Sequence, residues 1–420
     1  MIKQYFQQAI YELKAHPMLS VVSVIGTALA ICLIMVLIVM QQIKIAPFYP
    51  ETNRDRTLHV KSMSSTVKGS TNNGPMSMLV ARNCFRALTI PEAVTMYAYP
   101  DEMLASVPGT SAITIDVKPT DDRFWTVFSF TFADGRPFSE AESESGIPVI
   151  VVTEEVARRL FGKTHIAGER IKVNYAEYTV VGVVKDVSTL ASAAYAQAWI
   201  PYHSTNLVSN ESPGELSGYF MVSMLAHTPD DFPAIRQEAE QLRLQFNHGL
   251  TDSEVFYRGQ PDEQVVYAER KWANESPDMK KVKQQRFIIF VLLLLIPAIN
   301  LSSMTQSRLR QRIGEIGLRR SFGSTRFQIL WQVLMENLVL TALSALVGLI
   351  ICFAISYIWG HSLFASATIG VSPDVSFSML MQPVTFVYAV IFCLVLNLLS
   401  TGVPAWKACR MSITHALNSK

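Results

Sequence analysis

Four stretches of this chain are too long and too apolar for the interior of a small water-soluble fold. Met18 to Met40 carries no charge. As a helix rising about 1.5 Å per residue it is about 35 Å long, enough to cross a hydrocarbon core of about 30 Å. Phe287 to Met304 is a second charge-free run, Val333 to Ile358 a third whose only charge is Glu336, and Val384 to Ala405 a fourth. Charged residues make up 17% of the chain, against about a quarter in soluble domains. The expected class is therefore a membrane protein with four transmembrane α-helices, at 18–40, 286–305, 333–358 and 384–405.

The first run has a basic start with Lys3 and Lys14, and Ala28-Leu29-Ala30 resembles a signal-peptide cleavage site. Cutting there would leave ICLIMVLIVM at the new N-terminus, and the whole run exceeds a usual signal core. A retained anchor helix is expected.

Orientation follows from basic residues in the short loops. The segment 306–332 carries Arg308, Arg310, Arg312, Arg319, Arg320 and Arg326 against Glu315, whereas the loop 359–383 has no Lys or Arg. This places the segment, the N-terminus (1–17) and the C-terminus (406–420) in the cytoplasm. Lys280, Lys281, Lys283 and Arg286 argue the other way, but they end a long translocated segment, to which the rule applies weakly.

Residues 41–285 then form one large extracytoplasmic domain. Strand signals at 56–63, 111–120, 148–153, 169–184 and 219–225 alternate with helical patterns near 77–88, 154–161 and 229–246, which reads as an α+β domain. Asp230 and Asp231 are candidate caps for the last helix. Cys32, Cys352 and Cys393 fall in spanning runs and Cys409 in the cytoplasm, so Cys84 is alone outside and the domain's stability must come from packing.

The stretch FGKT at 161–164 ends like a phosphate-binding loop, but the first glycine of that motif is replaced by Ala157. It also lies outside the cytoplasm. The plainer expectation is a helix, 154–161, ended by Gly162. There is no HExxH, no paired Cys/His spacing and no GxSxG, so neither a metal site nor an enzyme is indicated. Nor do the basic residues form the aromatic-interleaved patch that nucleic acid would need.

The most informative stretch is RLRQRIGEIGLRRSFGSTRFQILWQVLMENLVL, 308–340. Ile313, Ile316, Leu318 and Phe322 fall near helical spacing among the charges, so an amphipathic helix is expected, ended by Gly323 and followed by a helix capped by Ser324 or Thr325. Pro297 is expected to interrupt the second span, with Asn300 as a polar contact beside it. Glu336, in the first turns of the third span, can pair with a nearby arginine. Thr341, Ser344, Ala345 and Gly348 form small-residue pairs suited to close helix packing, with the dimer contact one candidate place for it.

GEIGLRRSFGSTRFQIL followed by MENLVLTALSALVGLI closely resembles the signature of FtsX-like, MacB-type ABC transporter permeases. VPAWKACRMSITHALNSK resembles that family's ending, and FSFTFADGRPFSE, VVTEEVARRLFGK and AGERIKVNYAEYTVVGVVKDV resemble its MacB-like periplasmic domain. The resemblance covers essentially the whole chain. It implies an inner-membrane permease subunit with both termini inside and its large domain periplasmic, working as a homodimer or heterodimer. With no ATPase domain and no complete GxxxxGK[ST] in this chain, ATP and Mg would be bound by a separate ABC ATPase. A periplasmic adaptor and an outer-membrane channel are further partners in the family. The family's coupling region maps onto Glu315, Gly317, Arg319, Arg320, Gly323 and Ser324, with the first and the arginines as ion-pairing contacts and the glycines as close-approach or capping positions.

What the resemblance implies in function is mechanotransmission: ATP-driven closure moves the periplasmic domains through stalk helices to export or extract a substrate. An envelope regulator or sensor is the alternative within the family. A membrane-anchored scaffold without ATP coupling is the alternative outside it.

Overall fold

A computed structural model of the chain describes residues 17–359 and 383–410, apart from 213 and 273. The expected N-terminus, the loop 359–383 and the C-terminus lie outside the described residues except for Pro17, Trp359, Pro383 and 406–410. Two units emerge. One gathers the described residues up to Gln42 and those from Lys280 onward, and the other runs Ile43–Met279.

Among the described residues four helices are long and apolar enough to cross a membrane, and they lie within Pro17–Ile45, Met279–Gln311, Arg326–Ile358 and Pro383–Arg410. The first shows how a spanning helix divides its surface. Val21, Ile25, Leu29 and Leu33, four residues apart, are exposed, while Ala28, Ile31 and Met35 are buried. This is the period of one helical face. The second helix begins at Met279, so the basic residues 280–286 continue into the apolar run without a break, and Pro297 lies inside it.

The outer unit is the α+β domain. Six strands close into a barrel in the order 101–106, 113–120, 198–201, 149–153, 176–184 and 170–173, the last pairing again with the first. Strand Val149–Thr153 is paired on both sides, and every residue of it is buried. Val117, Ile150, Val152, Ile171, Val180 and Ala198 are among the residues filling the interior. From the barrel the sheet continues through 93–98, 220–225, 57–60 and 262–263. The helix Phe232–His248 contributes Phe232, Ile235 and Ala239 to the core on this side. Phe124, Tyr97, Phe128, Phe138 and Trp199 are buried in a second cluster, joined by edge-to-face contacts such as Trp125 on Trp199 at 6.0 Å.

Several local expectations change in detail. The strand expected at 56–63 is Thr57–Val60. The helix expected at 77–88 is a single turn, Met78–Ala81, followed by a wider turn, Arg82–Arg86. Thr228 caps a short turn, Pro229–Asp231, in which the Asp231 carboxylate accepts from the Thr228 amide at 2.9 Å; Asp231 then stands at the start of the helix Phe232–His248 without a side-chain cap bond to it.

FGKT proves to be a helix end. Thr153 caps Glu154–Phe161, acids occupy its first turn and arginines its last, and Gly162 at φ +71 donates its amide to the Arg158 carbonyl at 2.9 Å. Cys84 is fully buried.

Candidate functional site: the charged ring between the second and third spans

The second spanning helix ends at Gln311, and Arg312 turns the chain at φ −105, ψ 8 into a short helix, Ile313–Ser321. Gly323 at φ +96 reverses it. Thr325 then caps the third spanning helix through a reciprocal box with Gln328, so of the two caps expected for that helix Thr325 is the one used. Ser324 precedes the cap and donates its amide to the Arg319 carbonyl at 3.1 Å. Helix, reversal and helix bring the short helix back beside the start of the third span.

Five side chains close a ring across that juxtaposition. Arg312 donates through Nη1 to Glu336 Oε2 at 2.9 Å and through Nε to Glu315 Oε2 at 3.1 Å. The other oxygen of Glu315 accepts from Arg319 Nη2 at 2.5 Å. Arg319 Nη1 donates to Gln332 Oε1 at 2.8 Å, and Gln332 Nε2 donates to Glu336 Oε1 at 2.8 Å, which completes the circuit. Each carboxylate in the ring receives a donor on both oxygens. A carboxylate at the edge of an apolar span is tolerable only on such terms. Beneath the ring Leu309, Ile316, Leu330, Val333 and Ala405 pack together.

The ring sets its own charge states. Burial on its own would raise the Glu315 carboxyl, but the hydrogen bond and charge of Arg312, with Arg319 beside them, hold it below the usual carboxylate range. Burial likewise works against the Arg312 cation, and Glu336 and Glu315 outweigh it, so the guanidinium is held more firmly protonated than usual.

The residues singled out from the sequence divide into three groups. Glu315 and Arg319 belong to the ring, engaged within the chain, together with Glu336. Gly317 is buried on the short helix, and Arg320 is half-buried in its last turn. Glu336 is 8% exposed, and its partner is Arg312. Ser344 and Thr341 are buried with their hydroxyls donating back to the carbonyls of Leu340 and Asn337, each at 2.9 Å, which lets a polar side chain sit in apolar surroundings. A Cβ built on Gly348 would stand 2.7 Å from the Ala28 carbonyl oxygen, so this small-residue face is occupied by the chain's own first span. Pro297 lies within the second helix, as does Asn300, whose side chain is outside the described set.

Sequence reasoning took Arg312 as topogenic charge and passed over Gln332. The spacing carried a signal for both: Arg312 stands three residues before Glu315, and Gln332 four before Glu336, the separations at which helical side chains meet. Asn397 was also missed. It donates to the Leu334 carbonyl at 3.1 Å and accepts from Thr401 at 3.2 Å, tying the fourth span to the third. Among the described residues no three His, Cys, Asp or Glu side chains converge as a metal site would require.

Comparison with known proteins agrees with this architecture. Residues 20–242, more than half of the chain, match the MacB-like periplasmic core domain, and residues 287–413 match the FtsX-like permease C-terminal region. Both are permease components. The ABC transporter permease YknZ of Bacillus subtilis (strain 168) is 28% identical over 301 residues, covering 72% of this chain and 69% of YknZ. The macrolide export ATP-binding/permease protein MacB of Hahella chejuensis is 22% identical over 73% of this chain and 43% of its own length. The pyoverdine export ATP-binding/permease protein PvdT of Pseudomonas syringae pv. syringae is 24% identical over 71% of this chain and 42% of its own. The chain thus spans less than half the length of the latter two. With four candidate spans, a large α+β domain between the first and second on the periplasmic side of the inner membrane, and both matched regions in the expected order, the chain belongs to the FtsX-like, MacB-type family of ABC transporter permeases.

Proposed function

We propose that the chain is the permease subunit of an ABC transporter working by mechanotransmission, in which a separate ATPase drives the periplasmic domain through its stalks to export or extract a substrate. The observation that carries this reading is the ring. It fastens the short helix Ile313–Ser321 to the third span, so a push on that helix moves the span instead of bending the turn. The ATPase would meet the side of the helix the ring leaves open, where Leu318 and Phe322 are exposed to 50% and 83%, with Phe327 close by in sequence at 69%. Exposed apolar side chains of this size beside arginines suit a protein partner.

The poverty of ionisable groups in the four runs supports a stroke over a polar path through the bilayer. In this reading two permease subunits, identical or related, work as a pair, and a periplasmic adaptor with an outer-membrane channel is the assembly sought on the outer side. The relatives' names differ in cargo, macrolides in one and pyoverdine in another, so the cargo of this chain is set by features the family does not share.

The test is purification from native membranes in mild detergent, with the partners identified and ATP hydrolysis measured. An ABC ATPase should co-purify with wild type, and Phe322→Asp, which leaves the ring untouched, should cut its recovery at least tenfold. Recovery of the chain alone, or with envelope proteins only and no hydrolysis, would favour a membrane-anchored scaffold.

A further inference from the structure

The outer domain has two roots: the end of the first spanning helix, at Ile43–Ala46, and the approach to the second, which begins at Met279. A buried arginine holds each. Arg54, 3% exposed, donates through Nη1 to the carbonyls of Ile43 at 2.9 Å and Ala46 at 3.0 Å, and through Nη2 to that of Leu190 at 2.9 Å. Its Nε binds Glu51 at 2.7 Å, and the other Glu51 oxygen accepts the amides of Ala193 and Ala194, both at 2.9 Å. At the second root Arg270, also 3% exposed, donates to the Glu275 carbonyl at 2.7 Å and the Arg258 carbonyl at 3.2 Å, and grips both oxygens of buried Asp262.

One short segment links the two grips. Gln264 donates to the Lys44 carbonyl at 2.8 Å, and Asp262, two residues earlier, is the partner of Arg270. Asp262 and Glu263 in turn pair as a strand with Leu58 and His59, just after Arg54. The carbonyls of residues 43, 44 and 46 are thus all taken by side-chain donors from elsewhere in the domain. The last carbonyls of a helix lack intrahelical partners and ordinarily turn to water. Burying a guanidinium costs several kcal/mol unless its donors are used, and a flexible exit would need no such group.

We infer that Arg54, Gln264 and Arg270 are positioning residues that lock the two roots to each other through segment 262–270, so that displacing either stalk turns the outer domain as one body. The mechanical consequence rests on the stroke proposed above, whereas the lock itself does not. It goes beyond a stroke passing through stalks by naming the joint at which a stalk's motion becomes the domain's.

Hydrogen exchange on the full chain in nanodiscs, with and without its ATPase and ATP, tests both. In Arg54→Met, and less strongly in Gln264→Ala, exchange should rise in peptides covering 43–50 and 264–270, at least tenfold in the former variant, with the strands 149–153 and 176–184 as protected as in wild type. ATP hydrolysis should persist while the ATP-dependent change in outer-domain exchange is lost. Unchanged exchange at the roots overturns the lock, and so does an equal rise across the barrel, which would make these residues ordinary core. Should Arg54→Met fail to fold, Gln264→Ala, which removes one uncharged contact, decides alone. If no ATPase stimulation occurs in wild type, the transporter reading fails while the root exchange still decides the lock.

Discussion

The two units of this chain differ in how many of their large apolar side chains they leave exposed. In the outer domain the largest residues are innermost, with Trp199, Phe124 and Phe138 at most 2% exposed. In the membrane unit Leu29, Ile296, Leu346 and Leu398 face outward, and the contact between the first and third spans is made by Ala28, Ile31 and Gly348. Water drives large apolar groups inward, whereas lipid gives them no such reason to hide and leaves close packing of small residues to hold helices together. Charge is where the two units agree. Each has well-paired charges at a turn or a root, the Arg312 to Glu336 ring in one and the Arg54 and Arg270 grips in the other.

The contrast breaks first, and with the largest effect, at the aromatic cluster. Phe124→Ala removes a fully buried ring that contacts Tyr97, Phe128 and Phe130, and should cost about 3–5 kcal/mol. Denaturant melts of the full chain in detergent, followed by tryptophan fluorescence and far-UV circular dichroism, should show the outer domain unfolding earlier while the helical signal of the spans persists. A concerted loss of both signals would mean that the units do not melt separately.

The ring comes next. Arg312→Ala strands Glu336 without its cation and should destabilise the membrane unit by about 3 kcal/mol, within the range for breaking a buried pair. Removing the acid as well, in Arg312→Ala with Glu336→Leu, should recover most of that loss. A double variant as unstable as the single one would show that the arginine acts through packing and not through charge.

How much of this was legible beforehand depended on the solvent each segment meets. The spans were readable because a charge-free run of that length has few other destinations. Helix 154–161 was readable from its Gly162 stop, and the Thr153 cap and acidic first turn that the structure shows are signals in the same sequence that point the same way. Strands 93–98 and 101–106 were missed: AVTMYA and DEMLAS lack clean alternation, the first being buried throughout and the second mostly exposed. Barrel closure was invisible because it depends on 198–201 lying parallel to 113–120, a pairing between residues some eighty apart. The ring was half-legible. Glu315, Arg319 and Glu336 stood out by type, but their mutual contact depends on the turn at Arg312 and the reversal at Gly323.

Acid should separate the units by a smaller margin. Burial pushes the His59 imidazole down to about 4 from an ordinary 6.5, against the opposing pull of the Glu51 carboxylate and with the Arg54 cation adding to the lowering. A histidine lowered in the folded state contributes stability that is complete above pH 6.5 and is lost as pH falls toward 4, because the unfolded chain then binds the proton that the native one refuses. The contribution of His59 to the outer domain should fall by on the order of 2 kcal/mol between pH 7 and pH 5, offset in part by Asp121, whose carboxyl burial raises to about 6 so that the folded state gains a proton there. In His59→Gln the same melts should show a flatter pH dependence. In the membrane unit Gly348→Ala should cost about 1–3 kcal/mol by forcing the first and third spans apart, at any pH in this range. A pH-sensitive effect there would tie helix packing to a titrating group and weaken the comparison.

The smallest effect is expected at the stretch that most resembled a nucleotide site. Gly162 sits at φ +71 with open space around its Cα, so Gly162→Ala meets no neighbour and pays only for the left-handed backbone, about 1 kcal/mol. Asparagine, which tolerates that conformation better, should cost less than alanine. If the glycine instead served a phosphate, both substitutions would abolish nucleotide binding by the full chain regardless of their small effect on folding. Binding of a fluorescent ATP analogue to the permease freed of its ATPase should therefore be absent in wild type and variants alike. A signal lost in both variants would return FGKT from the structure of a helix end to the chemistry of a site.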